Sequence, residues 1–186
     1  MTRVLVVLAP GAEEIETITV ADVLVRAGCE VLVAHAAEAV CAGSRGIPLC
    51  GHCPLDAVLD QDFDLVYLPG GMGSAEYCRD DPRIQNLAER QLAADRYLAV
   101  ICACPIALVP RGLSTGRNLT CYPALQETMT QAGATWHDQA VVIDGKLITS
   151  QGPGTAMALA LTLARILAGD DTAAEVASAM LITLPA

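Results

Sequence analysis

A single cysteine, Cys102, stands where the apolar run Tyr97–Ile101 gives way to Ala103-Cys-Pro-Ile-Ala-Leu-Val109. The first run, rich in Val and Ile, reads as a buried strand and the second as the start of a helix, with no Gly/Pro/Asn loop between them. A residue at so sharp a strand-to-helix junction is usually held in a strained backbone conformation, its side chain lifted above the carboxyl edge of a sheet. The helix amino end behind it would supply unpaired N–H groups and partial positive charge, both of which favour thiolate over thiol. The pattern therefore predicts a low-pKa nucleophile at Cys102. The alternative for the same residue is a small buried hydrophobe.

Two other stretches carry groups that suit such a nucleophile. Gly70-Gly71 follows the apolar run Asp64–Leu68, and without side chains it lets backbone approach a ligand closely. The N–H groups of Gly71 and Ala103 would then point at a developing oxyanion. Glu13, Glu14 and Glu16 open the first helical segment. Acidic residues there complement the helix dipole, which accounts for Glu13 and Glu14. Glu16 differs, because Val20 and Val23 lie four and seven positions on and place it on the core-facing stripe. A carboxyl group turned inward needs a partner or a proton. A protonated Glu16 donating to the Cys102 sulfur satisfies both.

The elements that must position these groups alternate in kind. Strands are expected at Arg3–Leu8, Glu30–Ala36, Asp64–Leu68 and Tyr97–Ile101, with short hairpin strands between Val40 and Pro54. Helices are expected at Glu14–Ala27, Asp81–Asp95 with Pro82 in its first turn, Ala124–Ala132, Thr155–Leu167 and Thr172–Leu181. Asn118–Cys121 reads as a further strand, and Ala140–Ile143 with Lys146–Thr149 as a hairpin around Asp144-Gly145. Alternation of apolar strands with helices implies a mostly parallel sheet covered on both faces. Ligands of such sheets collect beyond the carboxyl ends of the strands, where the loops Ala9–Glu14, Pro69–Gly73 and the Cys102 turn should meet.

Composition narrows the field. The 186 residues suit one domain spanning 1–186, and 53% hydrophobic against 17% charged residues excludes disorder. A net charge of −10 with 11 scattered basic residues argues against nucleic acid. Apolar runs are shorter than the ~18 residues a membrane span needs. Met1-Thr-Arg-Val leads straight into a strand, with no signal peptide, so a cytoplasmic protein without membrane contact is expected. The 8 cysteines then read as mostly packing residues rather than a disulfide framework. Cys50-Gly-His-Cys53 has zinc-like spacing, but no second pair follows it, so no metal is expected. No histidine lies within a few residues of Cys102, and nothing suggests a Cys–His pair.

Four motifs together resemble one family: Gly11-Ala-Glu-Glu-Ile-Glu16, Leu68-Pro-Gly-Gly71, Ile101-Cys-Ala-Cys-Pro105 and Thr149-Ser-Gln-Gly-Pro-Gly-Thr155. In order and spacing they look like the ThiJ/PfpI superfamily, and more narrowly its branch holding the Parkinson-disease protein deglycase and bacterial YajL. The resemblance implies a flavodoxin-like three-layer α/β sandwich, usually a homodimer, with no cofactor. It makes Cys102 the nucleophile, Glu16 its protonated partner, and Gly71 and Ala103 the oxyanion donors. Ser44-Arg45 also matches and would put Arg45 near the site entrance, while Arg26 matches a helix arginine near the family's dimer interface. Two positions depart from the pattern. Tyr122-Pro123 stands where the human member has histidine before proline, and Cys104 replaces a small Gly or Ala. A tyrosine of ordinary pKa, ~10, is a poor general base. A second thiol at 104 could resolve a sulfenic acid at Cys102 into a disulfide, although a Cys-x-Cys link is strained.

Ala103 separates the chain from the family's protease-like members, which carry His after the nucleophile. The glycines and His–Glu pair of a class I glutamine amidotransferase are also missing. The expected function is a cysteine-dependent glyoxalase or deglycase acting on methylglyoxal, glyoxal or their early adducts with amines and thiols, without glutathione. The alternative is a redox-sensing chaperone or stress-response protein switched by oxidation of Cys102. The family's historical link to thiamine-phosphate synthesis has no support in these residues.

Overall fold

The computed structural model describes residues 1–182. Strands β1 (Arg3–Leu8), β2 (Glu30–His35), β3 (Val40–Ala42), β4 (Pro48–Cys50), β5 (Cys53–Pro54), β6 (Leu65–Leu68), β7 (Tyr97–Ile101), β8 (Asn118–Leu119), β9 (Thr135–Trp136), β10 (Val141–Asp144) and β11 (Leu147–Ser150) occur in chain order. The helices are α1 (Glu14–Arg26), α2 (Met72–Asp80), α3 (Pro82–Ala93), α4 (Gln126–Gln131), α5 (Ala156–Ala168) and α6 (Asp170–Ala179). Seven strands form one sheet in the order β10-β11-β7-β6-β1-β2-β5. Every pairing in it is parallel except β10 with β11. This is the flavodoxin-like α/β architecture, with the hairpin β3–β4 and the pair β8–β9 outside the main sheet.

Burial explains why the central strands are unbroken apolar runs. All four residues of β6 and the last five of β1 are buried from both faces. From β1 the chain steps outward to β2 through α1, then returns to β6 on the other side of β1 and continues to β7. Right-handed crossovers in opposite directions put α1 on one face of the sheet and α2–α3 on the other. Accordingly α1 packs on α5 and α5 on α6, while α2 packs on α3 and on the turn after Cys102. The reversal of direction lies between β1 and β6, and a crevice opens there beyond their carboxyl ends.

Two expectations change. The segment after Cys102 is a tight 3-10 turn, Cys104–Leu108, with Pro105 near its start, rather than a helix. Met72–Asp80, where no element is expected beyond the loop Pro69–Gly73, is a helix capped by Gly71. Among the described residues no helix is long and apolar enough to cross a membrane, and no group of three or more His, Cys, Asp or Glu could hold a metal ion. All eight cysteines are free thiols, six of them buried, Cys53 partly buried and Cys50 exposed.

Candidate active site

Cys102 has φ +62°, a left-handed conformation that costs a non-glycine residue on the order of 1–3 kcal/mol. Both its backbone groups are tied down. Its N–H donates to the Ser150 carbonyl at 3.0 Å, and its carbonyl accepts from the Tyr122 N–H at 2.7 Å. The end of β11 and the Tyr122 segment thus hold the strained residue, and its side chain turns toward the loops that leave β1 and β6.

Gly70 shows how closely those loops meet. A Cβ there would lie 2.5 Å from Cys102 Cβ and 2.5 Å from Glu16 Oε2. Only a residue without a side chain fits between the Cys102 thiol and the carboxyl group. Gly70 instead contributes its backbone, donating to Glu16 Oε2 at 2.8 Å and accepting from the Glu13 N–H at 3.0 Å.

Glu16 is fully buried in the first turn of α1. The Tyr67 hydroxyl donates to its carbonyl at 3.1 Å, anchoring that turn to β6. Its second carboxyl oxygen, Oε1, is buried without an aligned hydrogen-bond partner. The Cys102 thiol neighbours this carboxyl group and interacts with it. Burial, helped by the charge of Glu13, pushes Glu16 up to about 7. Near neutrality a large fraction of molecules carry the proton that the sequence pattern predicts.

The thiol departs from expectation. Burial, and then the negative charge of Glu16, push Cys102 up to about 12, while the Gly71 and Ala103 N–H groups pull it down. Two causes lie in the fold. The expected helix behind Cys102 is only a short 3-10 turn, and the residue is just 9% exposed. Thiol and carboxyl group share one water-poor site: the neutral thiol, donating to the carboxylate, eases the ionisation of Glu16, and the charge so formed then hinders that of Cys102. The charge of Glu16 disappears when that group is protonated. A thiolate is therefore favoured in the form in which the remaining proton sits on Glu16.

The structure brings together Cys102, Glu16, Gly71 and Ala103. Arg45 stands apart in its role: its exposed side chain makes no ion pair among the described residues, and the contact it makes is through its backbone. Glu14 Oε1 accepts from the Arg45 N–H at 2.8 Å and from the Ile47 N–H at 3.2 Å, and Oε2 accepts from the Ser44 hydroxyl at 3.1 Å. These bonds outweigh burial and hold Glu14 below the usual carboxylate range. Glu13 is the N-cap of α1, its side chain accepting from the Glu16 N–H at 2.8 Å. Reading Glu13 and Glu14 as mere complements to the helix dipole missed both functions. The capping bond of Glu13 is local, three residues on, whereas nothing local in the sequence announces the Glu14 partners some thirty positions away.

Gly152, from the fourth motif, closes the other side. A Cβ there would be 3.7 Å from Tyr122 Cδ2 and 4.0 Å from Cys102 Sγ. The half-exposed Tyr122 ring therefore borders the mouth of the site where the family pattern leads one to expect histidine.

The raised Glu16 pKa makes a stability prediction. Glu16 folds with a value of about 7, whereas an unfolded glutamate titrates near ~4.3. Between those values the folded chain binds the extra proton, so stability falls as pH rises. The contribution is fully present below the unfolded pKa and lost as pH rises through the folded one. Its size is on the order of 3 kcal/mol. Glu16→Gln cannot titrate and should lack this slope. Urea unfolding of both proteins from pH ~4.5 to ~8 checks it; parallel profiles would remove Glu16 as the buried acid.

The DJ-1/PfpI family model matches residues 2–166. The Drosophila melanogaster protein dj-1beta is 41% identical over 180 residues, covering 96% of this chain and 96% of that protein. A Caenorhabditis elegans protein named glutathione-independent glyoxalase DJR-1.2 is 35% identical over 168 residues, covering 90% of this chain and 89% of its own length. The crystal structure of Drosophila melanogaster DJ-1beta superposes with a TM-score of 0.95 at 38% identity, over 98% of this chain and 99% of that one.

Proposed function

The chain belongs to the DJ-1/PfpI family, and on that premise we propose that it is a glutathione-independent glyoxalase or deglycase whose nucleophile is Cys102. The observation that carries this reading is the meeting of a strained thiol, a readily protonated carboxyl group and two inward N–H groups around Gly70. The family relationship adds a relative named for that activity.

In this reading the Cys102 sulfur attacks the aldehyde carbon of methylglyoxal. A C–S bond forms, and the carbonyl electron pair moves to oxygen as an alkoxide beside the Gly71 and Ala103 N–H groups. Protonation gives the hemithioacetal. Glu16, as carboxylate, then removes the proton from the former aldehyde carbon and returns it to the neighbouring carbon, leaving a lactoyl thioester. Water cleaves the thioester to lactate and regenerates the thiol. Glyoxal gives glycolate by the same steps, and an early amine or thiol adduct enters by losing its amine or thiol as the sulfur takes its place. No step requires a metal, glutathione or a histidine base. Lactate release from methylglyoxal by the reduced protein without glutathione tests the reading. Absence of lactate, with Cys102 shown by mass to be reduced and open to alkylation, would overturn it.

The unpartnered Oε1 of Glu16, whose carboxyl group interacts with the Cys102 thiol, favours a second reading, that of a redox-sensing chaperone. A protonated Oε1 would donate to an oxygen added to Cys102, stabilising its oxidised form. Oxidation-dependent partner binding without lactate formation would select it.

A homodimer is part of the proposal. Ile15, Ile18 and Val25 on α1 are each more than half exposed, as are Val40 and Ile47 of the adjoining hairpin. Glu14 ties that hairpin loop to α1, and exposed apolar side chains on these two adjoining elements suit a second copy of the chain. Arg26, at the end of the same helix, pairs with Asp22 at 2.7 Å. Ile18→Glu places a charge among these apolar side chains. It should convert the dimer to monomer in sedimentation velocity, and an unchanged sedimentation coefficient would place the interface elsewhere.

A further inference from the structure

Cys78 and Cys104 are both fully buried, and neither takes part in the dicarbonyl chemistry. They come from different elements, Cys78 from the end of α2 and Cys104 from the first position of the turn after Cys102. Those two elements pack directly against each other, and the neighbouring Cys78 is the largest cause that pushes the Cys104 thiol up. Buried Gln85 fastens the arrangement from α3. Its Nε2 donates to the Cys78 carbonyl and to the Ala107 carbonyl, each at 2.8 Å. A dithiol is thus held behind the nucleophile, with Cys104 only two residues from Cys102.

We propose that Cys78 and Cys104 are a two-electron dithiol–disulfide couple that takes the oxidation off Cys102 after a hydroperoxide has reached it. Of the three, Cys102 is the one with exposed surface, so the oxidant meets it first. The Cys102 sulfur attacks the terminal peroxide oxygen. The O–O bond breaks, the alcohol or water leaves, and Cys102 becomes a sulfenic acid. The Cys104 sulfur then attacks the sulfenic sulfur; the S–O bond breaks, and hydroxide leaves with the Cys104 proton as water. The resulting Cys102–Cys104 disulfide spans one residue and is strained, which makes it a good substrate for exchange. The Cys78 sulfur attacks Cys104, the strained S–S bond breaks, and Cys102 leaves as thiolate and recovers the Cys78 proton. In sum, one hydroperoxide and two thiols give one alcohol, one water and one disulfide.

The fold supplies reasons for this order. Cys104 is tethered to Cys102 at a sequence distance of two, so its attack is intramolecular and does not slow as oxidant falls, whereas that of a second peroxide molecule does. The 3-10 turn that carries Cys104 is short, and opening it locally lets the thiol reach outward. Once the exchange is complete, the disulfide is shielded from water and Cys102 is a thiol again. The proposal requires Cys102 to be reactive toward peroxide but does not require dicarbonyl turnover, so the two readings can fail separately.

The test treats the reduced full chain with one equivalent of hydrogen peroxide, blocks remaining thiols with an alkylating agent, and reads intact mass and peptide maps. The expected wild-type result is the loss of two hydrogens, a Cys78–Cys104 bond and an alkylated Cys102, all reversed by dithiothreitol. Cys104→Ala should gain oxygen on Cys102 instead, and Cys102→Ser should leave Cys78 and Cys104 reduced. Wild-type protein that gains oxygen on Cys102 while both inner thiols remain alkylatable would overturn the proposal. So would a Cys78–Cys104 bond that forms equally fast in Cys102→Ser. The wild-type map decides the first point even if a variant folds poorly.

Discussion

Cys102→Ser is expected to lower lactate formation from methylglyoxal by about 1000-fold or more while leaving the fold intact. The size follows from the surroundings of the side chain. A buried thiol already has to give up its proton in a site that pushes it up to about 12 while Glu16 is charged. A serine hydroxyl is a far weaker acid than a thiol, and no histidine borders it to take the proton. The Gly71 and Ala103 N–H groups and Glu16 remain in the variant, so what is lost is the nucleophile itself. Stability should change by less than about 1 kcal/mol, because oxygen for sulfur leaves no large cavity and the bonds to Ser150 and Tyr122 are backbone bonds. Rates within about ten-fold of wild type would show that another group forms the covalent bond. A serine variant that is inactive but also unfolded in urea titration would leave Cys102→Ala as the comparison, since alanine occupies less of the same space.

Which parts of this were legible in the sequence depends on how far away the deciding partner lies. β1, β6 and β7 could be read directly, because parallel strands covered on both faces must be apolar at every position. Glu16 could be found because its neighbours Val20 and Val23 are on the same helix. Helix α2 could not, since Met72-Gly-Ser-Ala-Glu-Tyr-Cys-Arg-Asp80 has weak intrinsic preference and its helicity comes from the Gly71 cap and packing on the Cys104–Leu108 turn. That turn in turn reads as helix by its apolar content, yet it winds as a 3-10 turn packed against α2. The depth of Cys102 is likewise a tertiary fact. The strand-to-turn junction was visible in the chain, but the loops that bury the thiol and raise its pKa come from β1 and β6. Glu14 illustrates the same limit, because its partners Ser44, Arg45 and Ile47 belong to a hairpin far along the chain.

Gly71→Ala should damage both stability and turnover, and it tests the packing of the loops directly. Gly71 has φ +86°, a region that side chains rarely adopt. A Cβ there would also run into the Gly11 carbonyl oxygen and stand 3.0 Å from the Glu13 N–H. Backbone strain alone costs on the order of 1–3 kcal/mol. The clash is with main chain on both counts, so no side-chain rotation relieves it, and a total of about 4 kcal/mol is expected. Any relaxation must move Gly71 away from the β1 loop, and its N–H moves with it, away from the place where charge develops. Loss of one such donor lowers turnover by about 100-fold or more. Gly154→Ala is the matched control, because it lies in the fourth motif but a Cβ there meets nothing within 4 Å. It should change stability by less than about 0.5 kcal/mol. Urea unfolding and lactate assays of the pair separate the two effects, since a variant that is merely less stable regains full turnover at low temperature. A Gly71→Ala protein as stable and as active as Gly154→Ala would mean that the β1 and β6 loops do not meet in solution as described, and the oxyanion role of Gly71 would fall with them.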